Sequence, residues 1–360
     1  MDNQFDPGLL VRERLKELIP YQEVSYPEVI KLNANENPYD FPAEIWRDIN
    51  EMLGAQSFTR YPDAMAQQLI RELARCYSVG EDNIMVGNGS DELILNLMLT
   101  FGAGNRVVIA VPTFSMYGIH ARVAGAEIVE VARLEDFGLD VPGIIRAGES
   151  AALVVICSPN NPTGNSATVE QVQAILAGCQ CPVVVDQAYV EFGGQDFLPL
   201  LDSHPNLVIL RTFSKAYGLA GLRVGYLFAR PRVLQYLFKV KQPFNLNIFS
   251  QTAALAVLRC RDIFARQVAE IVRQREALYK AMRQMPGFDV LPSDANYLMF
   301  KTCYPAVKIF EGLLERGVLV RNFGDPLLTR YLRVSVGQPE ENMIFLHSLQ
   351  QVIAELGEKD

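Results

Sequence analysis

Lys215 lies in Leu210-Arg-Thr-Phe-Ser-Lys-Ala-Tyr-Gly-Leu-Ala-Gly-Leu-Arg-Val-Gly-Tyr226, which places an amine beside two anion-binding groups, Ser214 and Arg223. The apolar run from Leu207 to Leu210 predicts a buried strand that delivers Ser214 and Lys215 at its carboxyl end. Gly218, Gly221 and Gly225 follow, and an apolar stretch from Val224 to Phe228 takes the chain away. Most lysines are solvated surface charges. One held between a buried strand and a glycine-rich return can lose its proton and form an imine with a carbonyl.

Four other apolar runs end in residues of comparable chemistry. After Val86 come Gly87, Gly89, Ser90 and Asp91. A glycine turn into a helix amino terminus binds anions through free N–H groups, although taken alone Ser90 reads first as a plain helix cap. After Val111 come Pro112-Thr-Phe114, and after Cys157 comes Ser158-Pro-Asn-Asn-Pro-Thr-Gly164, whose prolines would fix Asn161. After Val185 come Asp186-Gln-Ala-Tyr189. A carboxylate at the end of an apolar strand needs a cation or several hydrogen bonds. In open α/β sheets ligands bind beyond the carboxyl ends of the strands. The five ends would therefore gather an anion site, an aromatic face, an amide, a carboxylate with a phenol, and an amine.

The elements around these residues predict an α/β fold. Helical periods over 65–77 and from 87 to about 101 alternate with short apolar strands at 84–86, 107–111, 152–157, 183–185 and 207–210. Such alternation argues for a mostly parallel sheet covered by helices on both faces. After Pro243 the pattern changes to a long helix over 261–285, strands at 297–300, 318–321 and 331–336, and helices near 305–316 and 340–356. This reads as a smaller α+β domain. An amphipathic helix is expected over 8–19, with Leu9, Leu10, Leu15, Leu18 and Ile19 as its apolar face. The expected division is a large domain over 30–255 and a small one built from 1–29 and 256–360.

Length and composition agree with this division. A chain of 360 residues suggests about two domains, and 49% hydrophobic with 21% charged residues is ordinary for a globular protein. The net charge of -8 comes with no basic block, which argues against a nucleic-acid partner. The start, Met1-Asp-Asn-Gln-Phe-Asp-Pro7, is acidic and polar, unlike a secretory signal. No apolar run reaches the roughly 18 residues of a membrane span. Six scattered cysteines suggest no disulfide framework, and Cys179 and Cys181 lack zinc-site spacing. With three histidines in the chain, the expectation is a reduced, cytoplasmic, metal-free protein.

Taken in order, the motifs resemble those of the fold-type I pyridoxal-phosphate aminotransferases, and within them the histidinol-phosphate aminotransferase family. They are Asn35-Glu-Asn-Pro38, Arg60-Tyr-Pro-Asp63, Gly89-Ser-Asp-Glu92, Pro112-Thr-Phe114, Asn160-Asn-Pro-Thr-Gly164, Asp186-Gln-Ala-Tyr189, Ser214-Lys215 through Arg223, and Leu332-Arg-Val-Ser-Val-Gly337. Ile19-Pro-Tyr-Gln22 belongs to the same set. The resemblance implies a large domain with a seven-stranded sheet, and pyridoxal 5'-phosphate held on Lys215. It further implies that Asp186 pairs with the pyridine nitrogen, and that Tyr189 and Asn161 bond the ring's phenolic oxygen. Phe114 would stack on the ring, where relatives often carry Tyr or Trp. Gly89, Ser90, Asp91, Ser214 and Arg223 would hold the phosphate, and Tyr61 would reach the phosphate of a second subunit in a homodimer. Tyr21, Asn35, Arg321 and Arg333 would meet substrate, with paired arginine donors suited to either a phosphate or a carboxylate. The implied reaction is L-histidinol phosphate plus 2-oxoglutarate giving 3-(imidazol-4-yl)-2-oxopropyl phosphate plus glutamate, a step of histidine biosynthesis. An aromatic amino-acid aminotransferase or a phosphothreonine decarboxylase on the same scaffold is the alternative.

Overall fold

Among the described residues, twelve strands form two sheets: β1 (Ile30–Leu32), β2 (Ile84–Asn88), β3 (Arg106–Val111), β4 (Glu127–Ala132), β5 (Leu153–Cys157), β6 (Val183–Asp186), β7 (Leu207–Thr212), β8 (Val224–Ala229), β9 (Phe288–Val290), β10 (Tyr297–Thr302), β11 (Val318–Asn322) and β12 (Tyr331–Ser335). The structure is a computed structural model that describes residues 6–20, 26 and 28–357. The larger sheet has the order β2-β8-β7-β6-β5-β3-β4. Strands β3 to β7 run parallel to one another, and β8 is antiparallel to both β7 and β2. β2 therefore points the same way as the parallel strands, so β2, β3, β5, β6 and β7 all end at one edge.

Continuous apolar sequence is what a sheet covered on both sides requires, because alternate residues serve opposite faces. Val154, Ile156, Val183, Val185, Leu207 and Ile209 enter one core with helices Ala43–Gly54, Gln67–Tyr77, Val169–Gly178 and Ile248–Arg259. Leu153, Val155, Cys157, Val184, Val208 and Leu210 enter the other, with helices Gly89–Leu97, Met116–Ala124 and Pro231–Leu237. The smaller sheet, β1-β11-β12-β10-β9, packs Leu32, Leu298, Phe300, Val320 and Val334 against Leu278, Ile309 and Phe345 of three helices. The boundary drawn at residue 30 falls just before β1, whose pairing is with this smaller sheet.

Some expected elements differ. In place of an amphipathic helix over 8–19 there are two short turns, Pro7–Leu9 and Glu13–Lys16. Leu9, Leu10 and Ile19 are 80%, 77% and 87% exposed, while Leu15 and Leu18 are half-buried, so only part of the expected apolar face is covered. β4 was not expected because Glu127 and Glu130, three residues apart, break both a continuous apolar run and a strict alternation, though such charges suit an edge strand. Helix Ile248–Arg259 is buried almost all round, which erases its periodic signal.

Candidate active site

The phosphate-sized cradle begins where β2 turns into helix Gly89–Leu97. Gly89 turns with φ +79°, and a Cβ on it would lie 2.7 Å from Arg223 Nη2. A Cβ on Gly225 of β8 would lie 2.4 Å from the Ser90 nitrogen, so only glycine allows β8 to pass the helix start. The capping position is Asn88, and Glu92 reaches back to its N–H; Ser90 lies inside the first turn, which corrects the reading of Ser90 as the cap. The free N–H groups of that turn face the same edge as Ser214 and Arg223. Arg223 donates to Asp91 Oδ2 at 2.8 Å and to Ser214 Oγ at 3.4 Å.

Asp186 is the last residue of β6 and is 2% exposed. Its Oδ2 accepts from the Tyr117 hydroxyl at 2.6 Å and its Oδ1 from the Ala188 N–H at 3.0 Å. Among the described residues no lysine or arginine forms an ion pair with it. Burial raises its carboxyl to about 6, against the hydrogen bonds that favour the ionised form. Tyr117 was not anticipated. It stands three residues after Phe114 and meets its ring edge-on at 5.5 Å, so an i, i+3 reading from Phe114 would have located it.

Asn160 joins two loops at this edge. Its amide donates to the Pro112 carbonyl at 3.1 Å and accepts from Thr113 Oγ1 at 2.8 Å, which fixes the loop carrying Phe114. Its carbonyl accepts from the Tyr297 hydroxyl at 2.7 Å. Next to it, Asn161 Oδ1 accepts from Arg333 of β12. Arg333 also donates to the Asn33 carbonyl at 2.6 Å and lies over the Tyr297 ring. Arg321 of β11 is its register partner.

Lys215 follows β7, and its Nζ donates to the Ala34 carbonyl at 2.9 Å and lies 5.9 Å from the centre of the Tyr189 ring. Burial first, then the nearby charge of Arg333, lowers its amine to about 8 from an ordinary 10.5. Tyr189 is buried, and its phenol accepts from Asn35 Nδ2 at 2.9 Å. Lys215, Asp186, Tyr189, Asn161, Phe114 and Arg333 thus meet at one edge, with the Gly89–Asp91 turn, Ser214 and Arg223 beside them. Asn35 touches this group but is 1% exposed. Tyr61 is 80% exposed and stacks on Phe244 at 4.5 Å. Tyr21 lies outside the described residues. Among the described residues no group of three His, Cys, Asp or Glu is placed to hold a metal ion, and no helix is long and apolar enough to cross a membrane.

Residues 27–349 match the family model described as aminotransferase class I and II. The histidinol-phosphate aminotransferase of Thermococcus gammatolerans is 40% identical over 343 residues, 95% of this chain and 97% of that one. Histidinol-phosphate aminotransferase 1 of Carboxydothermus hydrogenoformans is 42% identical over 345 residues, with 95% and 98% covered. Among solved structures, the histidinol-phosphate aminotransferase of Sinorhizobium meliloti in complex with pyridoxal-5'-phosphate superposes with a TM-score of 0.87 at 27% identity, covering 96% of this chain and 98% of that one.

Proposed function

Since the chain belongs to the class I and II aminotransferases, among the histidinol-phosphate aminotransferases, we infer that it moves an amino group from L-histidinol phosphate to 2-oxoglutarate. The products are 3-(imidazol-4-yl)-2-oxopropyl phosphate and L-glutamate, and the step belongs to histidine biosynthesis. One observation carries the substrate reading: Arg333, beside a lysine pushed toward neutrality, has a second arginine as its register partner.

The cofactor is pyridoxal 5'-phosphate, and the residues fit it. Asp186 is a buried carboxylate with two neutral donors and no cation, so a protonated pyridine nitrogen supplies the charge it lacks. The helix start at Gly89, with Ser214 and Arg223, suits a phosphate. Bound there, the ring supplies an electron sink for negative charge at the substrate Cα.

Lys215, whose buried amine is pushed toward neutrality, would hold the cofactor through Nζ. The same Nζ, once free, would serve as the base that takes the substrate Cα proton. The Ala34 carbonyl keeps that amine within reach. Asp186 would keep the pyridine nitrogen protonated, Phe114 would cover the ring face, and Tyr189 with Asn161 would bond the ring oxygen. Arg333 takes the carboxylate of glutamate, and Arg333 with Arg321 takes the phosphate of histidinol phosphate, where Tyr21 adds a hydroxyl.

The exposed Tyr61, backed by Phe244, supports a homodimer in which each Tyr61 completes the phosphate site of the partner subunit. Mixed dimers of Lys215→Ala and Tyr61→Phe chains should then regain one native site; an active monomer at all concentrations would contradict this. Six free cysteines support a reducing cytoplasmic setting, which cell fractionation would check. Steady-state comparison of histidinol phosphate, phenylalanine and tyrosine as amino donors tests the substrate. A higher kcat/KM for phenylalanine or tyrosine would replace this reading with an aromatic aminotransferase.

A further inference from the structure

Asn35 carries one of the few left-handed backbones outside glycine, with φ +54°. Its N–H donates to Ser335 Oγ at 2.9 Å, and its carbonyl accepts from Asn296 Nδ2 at 3.0 Å. Ser335 Oγ in turn lies 3.1 Å from Asn35 Oδ1. These contacts fix the orientation of the side-chain amide. Ser335 Oγ accepts from the Asn35 N–H and donates its one proton to Oδ1, which leaves the NH2 of the amide facing Tyr189. At 2.9 Å that NH2 donates to the phenol oxygen.

A phenol has one proton, and it cannot give it to a donor. With Asn35 on its acceptor side, Tyr189 keeps that proton for another partner. With 1% of its surface exposed, Asn35 itself offers a substrate almost nothing. The neighbouring peptide units are equally engaged: Asn33 accepts from Arg333 and Ala34 from Lys215.

We propose that Asn35 is a positioning residue that acts through Tyr189: its amide aims the phenol proton at the cofactor ring oxygen and strengthens the bond donated there. The proposal replaces the expectation of a substrate contact at Asn35 and rests on the aminotransferase reading above. An accepted hydrogen bond polarises the phenol and makes it a better donor. Donation to the ring oxygen favours the more negative, deprotonated form of the lysine-bound cofactor and so holds its pKa down.

The test is a pH titration of the visible absorption of cofactor-loaded protein. Asn35→Gly keeps the left-handed backbone and the main-chain bonds to Ser335 and Asn296. It should raise the midpoint by about 0.5 to 1 pH unit, the value of one ordinary hydrogen bond. Asn35→Asp, also tolerated in this conformation, should raise it further, because a carboxylate would draw the phenol proton away from the ring. In a Tyr189→Phe background, Asn35→Gly should add no further shift. An unmoved midpoint in Asn35→Gly, or an equal shift in the Tyr189→Phe background, would overturn the proposal while leaving the aminotransferase reading intact. If the glycine variant does not fold, an unmoved midpoint in Asn35→Asp overturns it. A wild-type protein with no visible lysine-bound band would overturn the functional reading itself.

Discussion

Arg321 of β11 and Arg333 of β12 are register partners in an antiparallel pair, so two guanidinium groups leave the same face of the smaller sheet. Like charges directly opposite each other destabilise a sheet unless an anion lies between them. Arg333 is tied to Asn161 and to the Asn33 carbonyl, which supports assigning it the glutamate carboxylate. A phosphate monoester, with up to two charges, can engage both. Arg321→Ala should therefore raise KM for histidinol phosphate about ten- to a hundredfold more than KM for glutamate, from a charge-assisted bond of about 1.5–3 kcal/mol. Equal effects on both donors would remove Arg321 from the phosphate site.

The amine of Lys215 supplies a pH prediction. Burial disfavours its charged form, so the group is mostly neutral above about 8 instead of above 10.5. The rate at which cofactor-free protein attaches pyridoxal 5'-phosphate should rise with pH, reach half its plateau near 8 and level off above that. Removing the neighbouring positive charge with Arg333→Gln should move that plateau to higher pH. Lys215→Ala should show neither covalent attachment nor turnover. A rate that climbs steadily to pH 10 would mean an ordinary, solvated lysine.

Asp186 has its ionised form disfavoured by burial, and the protonated pyridine nitrogen proposed above would restore it. Asp186→Asn should still bind cofactor but lose turnover by about a hundred- to five-thousandfold, taking about 3–5 kcal/mol for one side of a buried charge pair. A loss under about threefold would show that no such pair forms.

Glu191, two residues beyond Tyr189, predicts how stability varies with pH. Both its carboxyl oxygens are buried without a hydrogen-bond partner, and burial raises it to about 7 from 4.5, opposed by the charge of Arg211. The native protein therefore keeps a proton that the unfolded chain has lost between those values. Stability from this group falls as pH rises from about 4.5 to about 7, then levels off. The stability gain of Glu191→Gln over wild type should grow across that window by up to about 3 kcal/mol. A difference independent of pH in chemical denaturation would refute it.

The sequence made the strand ends legible because each is an apolar run closed by a polar or glycine-rich turn. That pattern places Asp186 and Lys215 without any knowledge of what lies opposite. What it left hidden depends on partners far away in the chain. The hydrogen bond from Asn35 to Tyr189 spans 154 residues, and Tyr117 reads as one more core aromatic until Asp186 is beside it. The helix expected over 8–19 failed for another reason: apolar spacing marks a face that wants covering, and here only Leu15 and Leu18 of that face are partly covered while Leu9, Leu10 and Ile19 stay exposed.

β1 is held to the rest of the fold by parallel pairing of Ile30–Leu32 with Val318–Val320, and the three residues after it touch Arg333, Lys215 and Tyr189. During synthesis β1 leaves the ribosome early and waits for β11. At about 5–20 residues per second that delay is on the order of 15–60 s. The seven-stranded sheet has all its strands by Ala229 and can form well before then. A nascent chain thus carries Lys215 on a finished sheet before β11 exists to pin the segment that steadies the amine, so catalytic competence arrives as a late event of translation.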